Sequence, residues 1–442
     1  MKKLFFTLII LVFPAAIFAQ NHFPVAVNDT VYSYIGDTVY LNPLINDYDT
    51  DGDTLRVFYF SGFIKVNDSL WKKVISAESG IYGDTLTSSY LIKDGNGGHA
   101  TAKVFIILSA YISYAFSDAN NIKALISPFG NHFWDLEEAK FEVPKGSGKN
   151  AVFSSALWMG GLRGDGQLCL VAERYRMSGV DFNQGPIRMN EDSAETAKWL
   201  PGTWKLNKSD IDFHKDNWDK NGYVPNEVIL NWPANGNPDN GQMEIYAPFF
   251  DKNNNGKYEP MLGDYPLIRG EQSVFFIMND SIQIHTESKG NKMGIEVLGM
   301  AYEFSRPDNP VLNNTLFMHY DIVNRSDNDY HDAYIGLFFD TDLGDANDDY
   351  IGTDVTHGRV YAFNSDDMDG SGEPWGYDNK PPAVGMKIIG GPYLPADGID
   401  NPTGQCNYDI NGLNFGDDVV DNERMGMTNS LYHNNSNSGV PW

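Results

Sequence analysis

Apolar residues in this chain come in short runs, and almost every run is closed within a few positions by Gly, Asn, Asp or Pro. The stretch "TSSYLIKDGNGGHATAKVFIILS" shows the pattern, with two β-branched and aromatic runs flanking the turn phrase Asp94–Gly98 as in a β-hairpin. Val31–Tyr34 and Thr38–Leu41 read as strands joined by a turn at Gly36-Asp37. Further along, "AVFSSALWMGGL", "QLCLVAERYRM", "SVFFIMND", "GIEVLGMAYEF", "TLFMHYDIVNRS" and "DAYIGLFFDTD" repeat the same texture. With 43 Gly, 22 Pro and 13% aromatic residues, such runs exclude a coiled coil or helical bundle and favour short strands with demanding turns. One short helix is expected, Asp192–Leu200, with Glu191, Asp192 and Glu195 at its start. The sequence predicts a mainly β chain: a small β-sandwich over residues 22–110, then a larger antiparallel, sandwich-like β domain with long acidic loops over 115–442.

Residues 1–19, "MKKLFFTLIILVFPAAIFA", combine two Lys, an apolar run from Leu4 to Phe13 and small residues before a cut after Ala19, the layout of a secretory signal peptide. The run is too short for a comfortable membrane span, no later segment reaches about 18 apolar residues, and no Cys follows the cut. The expectation is an exported chain, secreted or at the cell surface, with no membrane span. Lys and Arg total 32 against 59 acidic residues, and the resulting net charge of −27 repels a phosphate backbone, so no nucleic-acid partner is expected. Cys169 and Cys406 are too few for a disulfide scaffold, and spacing alone leaves their pairing open. Bound metal is then a candidate staple for the loops.

The phrases "PVAVNDT", "LNPLINDYDTDGDTLRV" and "YLIKDGNGGHATAKVFII", in that order, resemble the bacterial cadherin-like or immunoglobulin-like repeats of large surface proteins. The resemblance implies an Ig-like sandwich over 22–110, a spacer or adhesion role, and calcium bound within or between domains. Downstream, "NNIKALISPFGNHFW", "FEVPKGSGKNAVFSSALWMGGL", "DKNNNGKYEPMLGDYP" and "YDNKPPAVG" resemble secreted Bacteroidetes proteins that carry a C-terminal sorting domain for type IX secretion and surface attachment. That group implies a location and no defined activity. No sorting domain is recognisable before Trp442, which raises the expectation of a truncated C-terminus.

Three acidic stretches are candidate calcium loops. Asp47, Asp49 and Asp51 alternate, with Gly52 and Asp53 following, so the first half of an EF-hand-type loop is filled. Phe58 stands where the closing Glu belongs, which excludes a true EF-hand and calls for further ligands from Asn28, Asp29 or Asp94. In "FDKNNNGKYEPMLGDYP", Asp251, Asn253, Asn255, the Lys257 carbonyl, Glu259 and Asp264 are candidates, with Leu262 in place of the closing Glu. "DTDLGDANDDYIGTD" gathers Asp340, Asp342, Asp345, Asp348, Asp349 and Asp354 without a Lys or Arg among them, a density of like charge that asks for a cation or a distant Arg. "DDMDGSGE" (Asp367, Asp369, Ser371, Glu373) is a weaker version. The competing reading for each is a solvated turn whose side chains cap their own backbone.

Catalytic signals are weaker. "VPKGSGKNA" lacks the first Gly and the closing Ser or Thr of a phosphate-binding loop, and the linear zincin, nucleophile-elbow and Cys-x-x-Cys motifs do not occur. His285 and Glu287 read as a same-face strand pair, and Trp199, Trp204, Trp218 and Trp232 as core filler in preference to a sugar platform. The function expected is a non-catalytic secreted or cell-surface protein with calcium-stiffened loops in an adhesion or structural role. Its partner would be an extracellular ligand, either a glycan or a surface protein. The alternative is a carbohydrate-binding protein or a glycoside or polysaccharide hydrolase, which needs only paired carboxylates and no linear motif.

Overall fold

The computed structural model describes residues 21–33, 38–75, 85–108, 114–177, 179–187, 198–199, 201–370 and 372–433. The signal peptide, the Gly36-Asp37 turn, most of the Asp192–Leu200 helix and Ser371 lie outside these residues. Strand makes up 37% of the described residues and helix 8%, so the protein is mainly β as its sequence predicts. Two compact units are present, Met1–Ile112 and Ser113–Trp442.

In the first unit Thr85–Lys93 and His99–Leu108 form the expected hairpin, pairing from Lys93 opposite His99 to Thr85 opposite Ile107. Asp94 closes the turn by accepting the amides of Asn96 (2.8 Å) and Gly98 (2.9 Å). Asp29–Ser33 adds to His99–Leu108 in parallel and Arg56–Phe60 adds to Thr85–Lys93, giving a four-stranded sheet. Thr38–Leu41, Trp71–Val74 and Ile64–Lys65 form a second, three-stranded sheet. The two runs around Val31 and Thr38 therefore lie in different sheets. Both runs have the right β character, but which strands they join depends on partners distant in sequence. Alternate residues of each strand, Tyr90, Ile92, Val104 and Ile106 from one sheet with Val39 and Trp71 from the other, fill one core.

The second unit is built around the strand Gln272–Asn279, every residue of which is buried. Val274, Phe276 and Met278 face one core, shared with Leu157, Cys169, Val171 and Val297. Phe275 and Ile277 face another, packed with Trp199, Trp204, Trp232 and Tyr246. Burial on both faces is why "SVFFIMND" is continuously apolar and does not alternate. Its neighbours Ile295–Glu303 and Thr203–Asn207 pair with it antiparallel, and Leu316–Asn324 continues the sheet. Across the first core lies a sheet in which Ser154–Arg163 pairs with Leu168–Ala172 and Tyr330–Asp340. A separate three-stranded sheet, Asp349–Asp354, Arg359–Asn364 and Ala383–Lys387, follows.

One carboxyl at the rim of the main sheet is tuned by this packing. Glu303 is fully buried at the end of Ile295–Glu303 and accepts the amides of Ala119 (2.6 Å) and Asn120 (3.2 Å) on one oxygen. Burial pushes its carboxyl up from 4.5 to about 7, against the pull of those two amides. The folded state thus holds a proton that the unfolded chain has released, and the associated stability is lost as pH rises through that window. Glu303→Gln keeps an acceptor oxygen and removes the charge. It should melt with the wild type at pH 5 and above it at pH 8, by on the order of 3 kcal/mol at most. Parallel melting curves across pH would mean that Glu303 ionises in the fold without penalty.

Candidate cation-binding loops

The loop between Thr38–Leu41 and Arg56–Phe60 carries the first acidic group. One carboxylate oxygen from each of Asp49, Asp51 and Asp53 lies within 4.8 Å of the others, and among the described residues no other carboxylate trio converges this closely. Gly52 turns the loop at φ +80° and donates its amide to the Asp49 carbonyl (3.2 Å). Asp49 Oδ1 accepts the Asp51 amide (2.8 Å), while its Oδ2 is buried and accepts no hydrogen bond. Asp53 accepts the side-chain amide of Asn96 (2.8 Å), which ties the loop to the hairpin turn.

Asp51 is engaged from the other side. The His22 amide (2.6 Å) and ring Nδ1 (2.8 Å) meet its two oxygens and hold its carboxyl below the usual range, against the opposing charge of Asp94. Sequence reasoning missed His22, because it lies 29 residues from Asp51 and no local pattern links them. Asp47 does not join the trio. Its Oδ1 accepts the Val27 amide (2.7 Å) and lies 3.0 Å from the Tyr90 hydroxyl, which also sits 2.9 Å from the Val27 carbonyl. Burial raises the carboxyls of Asp47 and of neighbouring Asp29, the latter to about 7.

The loop at 251–264 is arranged differently. Asp251 Oδ2 accepts the Gly256 amide (2.7 Å), Asn253 the Asn255 amide (3.1 Å) and Asn255 the Lys257 amide (2.8 Å). Glu259 receives the Asn255 side-chain amide (2.6 Å). Asp264 is fully buried, and both its oxygens are taken by backbone amides, Lys252 (2.9 Å) and Glu259 (2.7 Å). It therefore fastens the loop from beneath with both oxygens engaged. Asp251, Glu259 and Asp264 do not converge as a trio. The helix Lys208–Asn217, absent from the sequence reading, supports this loop: His214 Nε2 lies 2.9 Å from the Asp264 carbonyl. Its signal was the Asn207-x-x-Asp210 capping box, easily overlooked because Ile211 and His214 are its buried residues in a mostly charged stretch.

Asp340, Asp342 and Asp345 also go separate ways. Asp340 accepts the Tyr175 hydroxyl (2.6 Å), and Asp345 accepts the backbone (3.1 Å) and side-chain (2.7 Å) amides of Asn347. Asp342 is pushed up to about 6 by burial and by the charge of Asp340. Asp354 does have cationic company in Arg359 at 2.9 Å, and the His357 ring lies 2.8 Å away.

The weaker signals resolve into structural contacts. His285 and Glu287 lie in an irregular segment, not on a strand. The His285 ring nitrogens face the carbonyls of Leu170 (2.7 Å) and Asp280 (2.9 Å), and Glu287 pairs with Arg174 (3.2 Å). Trp199, Trp204 and Trp232 are buried in the core beneath Phe275, and so offer no sugar platform. Cys169 and Cys406 are both free thiols. No helix among the described residues is long and apolar enough to cross a membrane.

Residues 21–107 match the family described as the bacterial Ig domain, so the first unit is an Ig-like domain, as its three phrases had suggested. No curated protein matches the chain. Among solved structures, a nucleoside hydrolase-related hypothetical protein from Saccharophagus degradans, associated with carbohydrate metabolism, is 22% identical over 21% of this chain. The match spans 26% of that protein's length at a TM-score of 0.17 and carries no argument.

The fastening role of Asp264 is open to direct test. Asp264→Ala leaves the amides of Lys252 and Glu259 without acceptors, at a cost of about 2–5 kcal/mol by analogy with other buried, hydrogen-bonded charges. Asp264→Asn keeps one acceptor and should cost less. Denaturant melts rank the two variants, and limited proteolysis should show new cleavage between residues 251 and 264. An Asp264→Ala protein as stable as the wild type would remove Asp264 from this role.

Proposed function

We propose that the chain is a non-catalytic extracellular protein in which the Ig-like domain is stiffened by a calcium ion held at Asp49, Asp51 and Asp53. Its role would be adhesive or structural, toward a glycan or a surface protein, after export directed by residues 1–19. The observation that carries the reading is the convergence of the three carboxylates within 4.8 Å, with Asp49 Oδ2 buried and unbonded. Hard cations take carboxylate and carbonyl oxygens, and this loop offers both.

The surrounding contacts give the ion a mechanical meaning. Asp47 holds the Val27 amide, Asp51 the His22 amide and Asp94 the Asn21 side chain (2.8 Å), so the acidic turns stitch down the segment by which the chain enters the domain. An ion that orders the loop orders this entry segment with it, which is what a spacer under load requires. His22 shares Asp51 with the ion, so it acts as an internal competitor.

Because the ion binds the folded form, it adds stability by mass action, about 2.7 kcal/mol at a hundredfold excess over its dissociation constant. The full chain in millimolar calcium should therefore melt several degrees above its value in EGTA, with magnesium giving less. Asp51→Asn should remove most of the shift attributable to the Ig-like domain, and His22→Ala should tighten binding. A wild-type protein whose melting is indifferent to calcium would defeat the proposal.

A further inference from the structure

We propose that the exposed face of the sheet Asp349–Asp354, Arg359–Asn364 and Ala383–Lys387 is a binding platform for a neutral pyranose glycan. The platform lies in the Ser113–Trp442 unit and shares no residue with the Ig-like loop. It gives the adhesive role proposed above a partner of defined chemistry. Residues directly opposite each other in antiparallel strands share a face, and the register here sets out three rows. Tyr350, Phe363 and Ala383 form the first row, Gly352, Tyr361 and Gly385 the second, and Asp354, Arg359 and Lys387 the third. Along Arg359–Asn364 and Ala383–Lys387 burial alternates strictly, with the members of these rows on the open side.

Three aromatic rings on this face are open: Tyr350 is 60% exposed, Phe363 41% and Tyr361 38%. The planes of Tyr361 and Phe363 lie within 29° of each other with centroids 6.1 Å apart, and the Tyr350 ring stands edge-on to Phe363. Both cross-strand neighbours of Tyr361 are glycines, and neither takes a positive φ, so the backbone does not call for glycine at these positions. What glycine supplies is space. A Cβ on Gly352 would fall 2.3 Å from Tyr361 Cζ, so the ring lies down over the bare backbone. A Cβ on Gly385 would stand 3.3 Å from Tyr361 Cβ and would wall off the other side of the ring. A depression of about 480 Å³ beside Tyr361 is lined by residues 359–361 and 383–387. Glycine inside a strand weakens a sheet and often marks a place where another group comes close.

Charge and area choose the occupant. In the third row Arg359 donates Nε (3.1 Å) and Nη2 (2.9 Å) to Asp354 Oδ2, which fixes the guanidinium, and Lys387 is exposed with no ion pair among the described residues. An open aromatic surface bordered by fixed hydrogen-bonding groups matches a sugar ring, which offers C–H groups on its face and hydroxyls around its rim. Three strands about 4.8 Å apart, with three residues each about 6.7 Å apart, cover roughly 300 Å². A stable dimer buries about 800 Å² on each partner, so the face is small for a second copy of the chain and suits a short run of sugar rings. The net charge of −27 repels nucleic acid and polyuronates alike, which leaves a neutral glycan.

The test is binding of the full chain to an array of neutral glucans, mannans, xylans and galactans, with polygalacturonate as the anionic control. The wild type should bind at least one neutral polymer, in EGTA as well as in calcium, so that the result stands apart from the ion in the Ig-like domain. Tyr361→Ala and Phe363→Ala should each weaken that binding at least tenfold, and Tyr361→Phe, which keeps the ring, should retain it. Melting temperatures check that the sheet is intact. Should Tyr361→Ala fail to fold because it uncovers Gly352, Phe363→Ala and Tyr350→Ala decide. Binding to no neutral polymer overturns the proposal, and so does binding that survives every one of these alanine substitutions. A wild-type dimer in sedimentation that Tyr350→Ala or Phe363→Ala dissociates overturns it as well, since the face then meets a second copy.

Discussion

Backbone amides in long loops have to be paired, and in this protein carboxylates pair many of them. Asp181 accepts the amides of Ala172 (3.0 Å), Glu287 (3.1 Å) and Ser288 (3.1 Å), and Asp280 those of Met293 (2.5 Å) and Ile295 (2.8 Å). Asp409 accepts those of Gln405 (2.7 Å) and Cys406 (3.0 Å). All three acids are at least nine-tenths buried. A hydrogen bond to a charged acceptor is stronger than one between neutral groups, so one Asp can close a turn that neither a helix nor a strand would satisfy. The net charge of −27 is in part a consequence of this architecture.

Two kinds of carboxylate follow from it. Where both oxygens hold backbone amides, as in Asp264 and Asp369, the carboxylate fastens a loop. Where one oxygen holds an amide and the other is buried and idle, as in Asp49 and Asp349, the side chain is fixed and still has an oxygen to give. The division turns on hydrogen-bond partners and not on position in the chain. Spacing alone does not separate the two kinds in the loop at 251–264: Asp264 holds two amides, while Asp251 holds the Gly256 amide on one oxygen and keeps the other buried and unbonded.

Local patterns were legible in the sequence and long-range ones were not. The hairpin around Asp94–Gly98, the continuous apolar run at Gln272–Asn279 and the buried Trp residues follow from turn chemistry and from where apolar side chains must go. The assignment of Asp29–Ser33 and Thr38–Leu41 to different sheets depends on partners as distant as His99–Leu108, which no local pattern names. The acidic trio was visible because Asp49, Asp51 and Asp53 are near neighbours, whereas His22 on Asp51 is set by tertiary contact. A motif read along the chain finds ligands that arrive together and misses those the fold delivers.

Protons and cations compete for the same oxygens, and the number of idle atoms decides between them. At Glu303 one oxygen is idle, two amides hold the other, and a proton suffices to relieve the buried charge. In the Ig-like loop the three carboxylates lie within 4.8 Å, and the cation that is present, if His22 carries one, sits on Asp51 from outside the trio. Three convergent oxygens ask for a charge placed among them, and a divalent ion with several coordination positions answers that demand where a proton shared by two atoms does not.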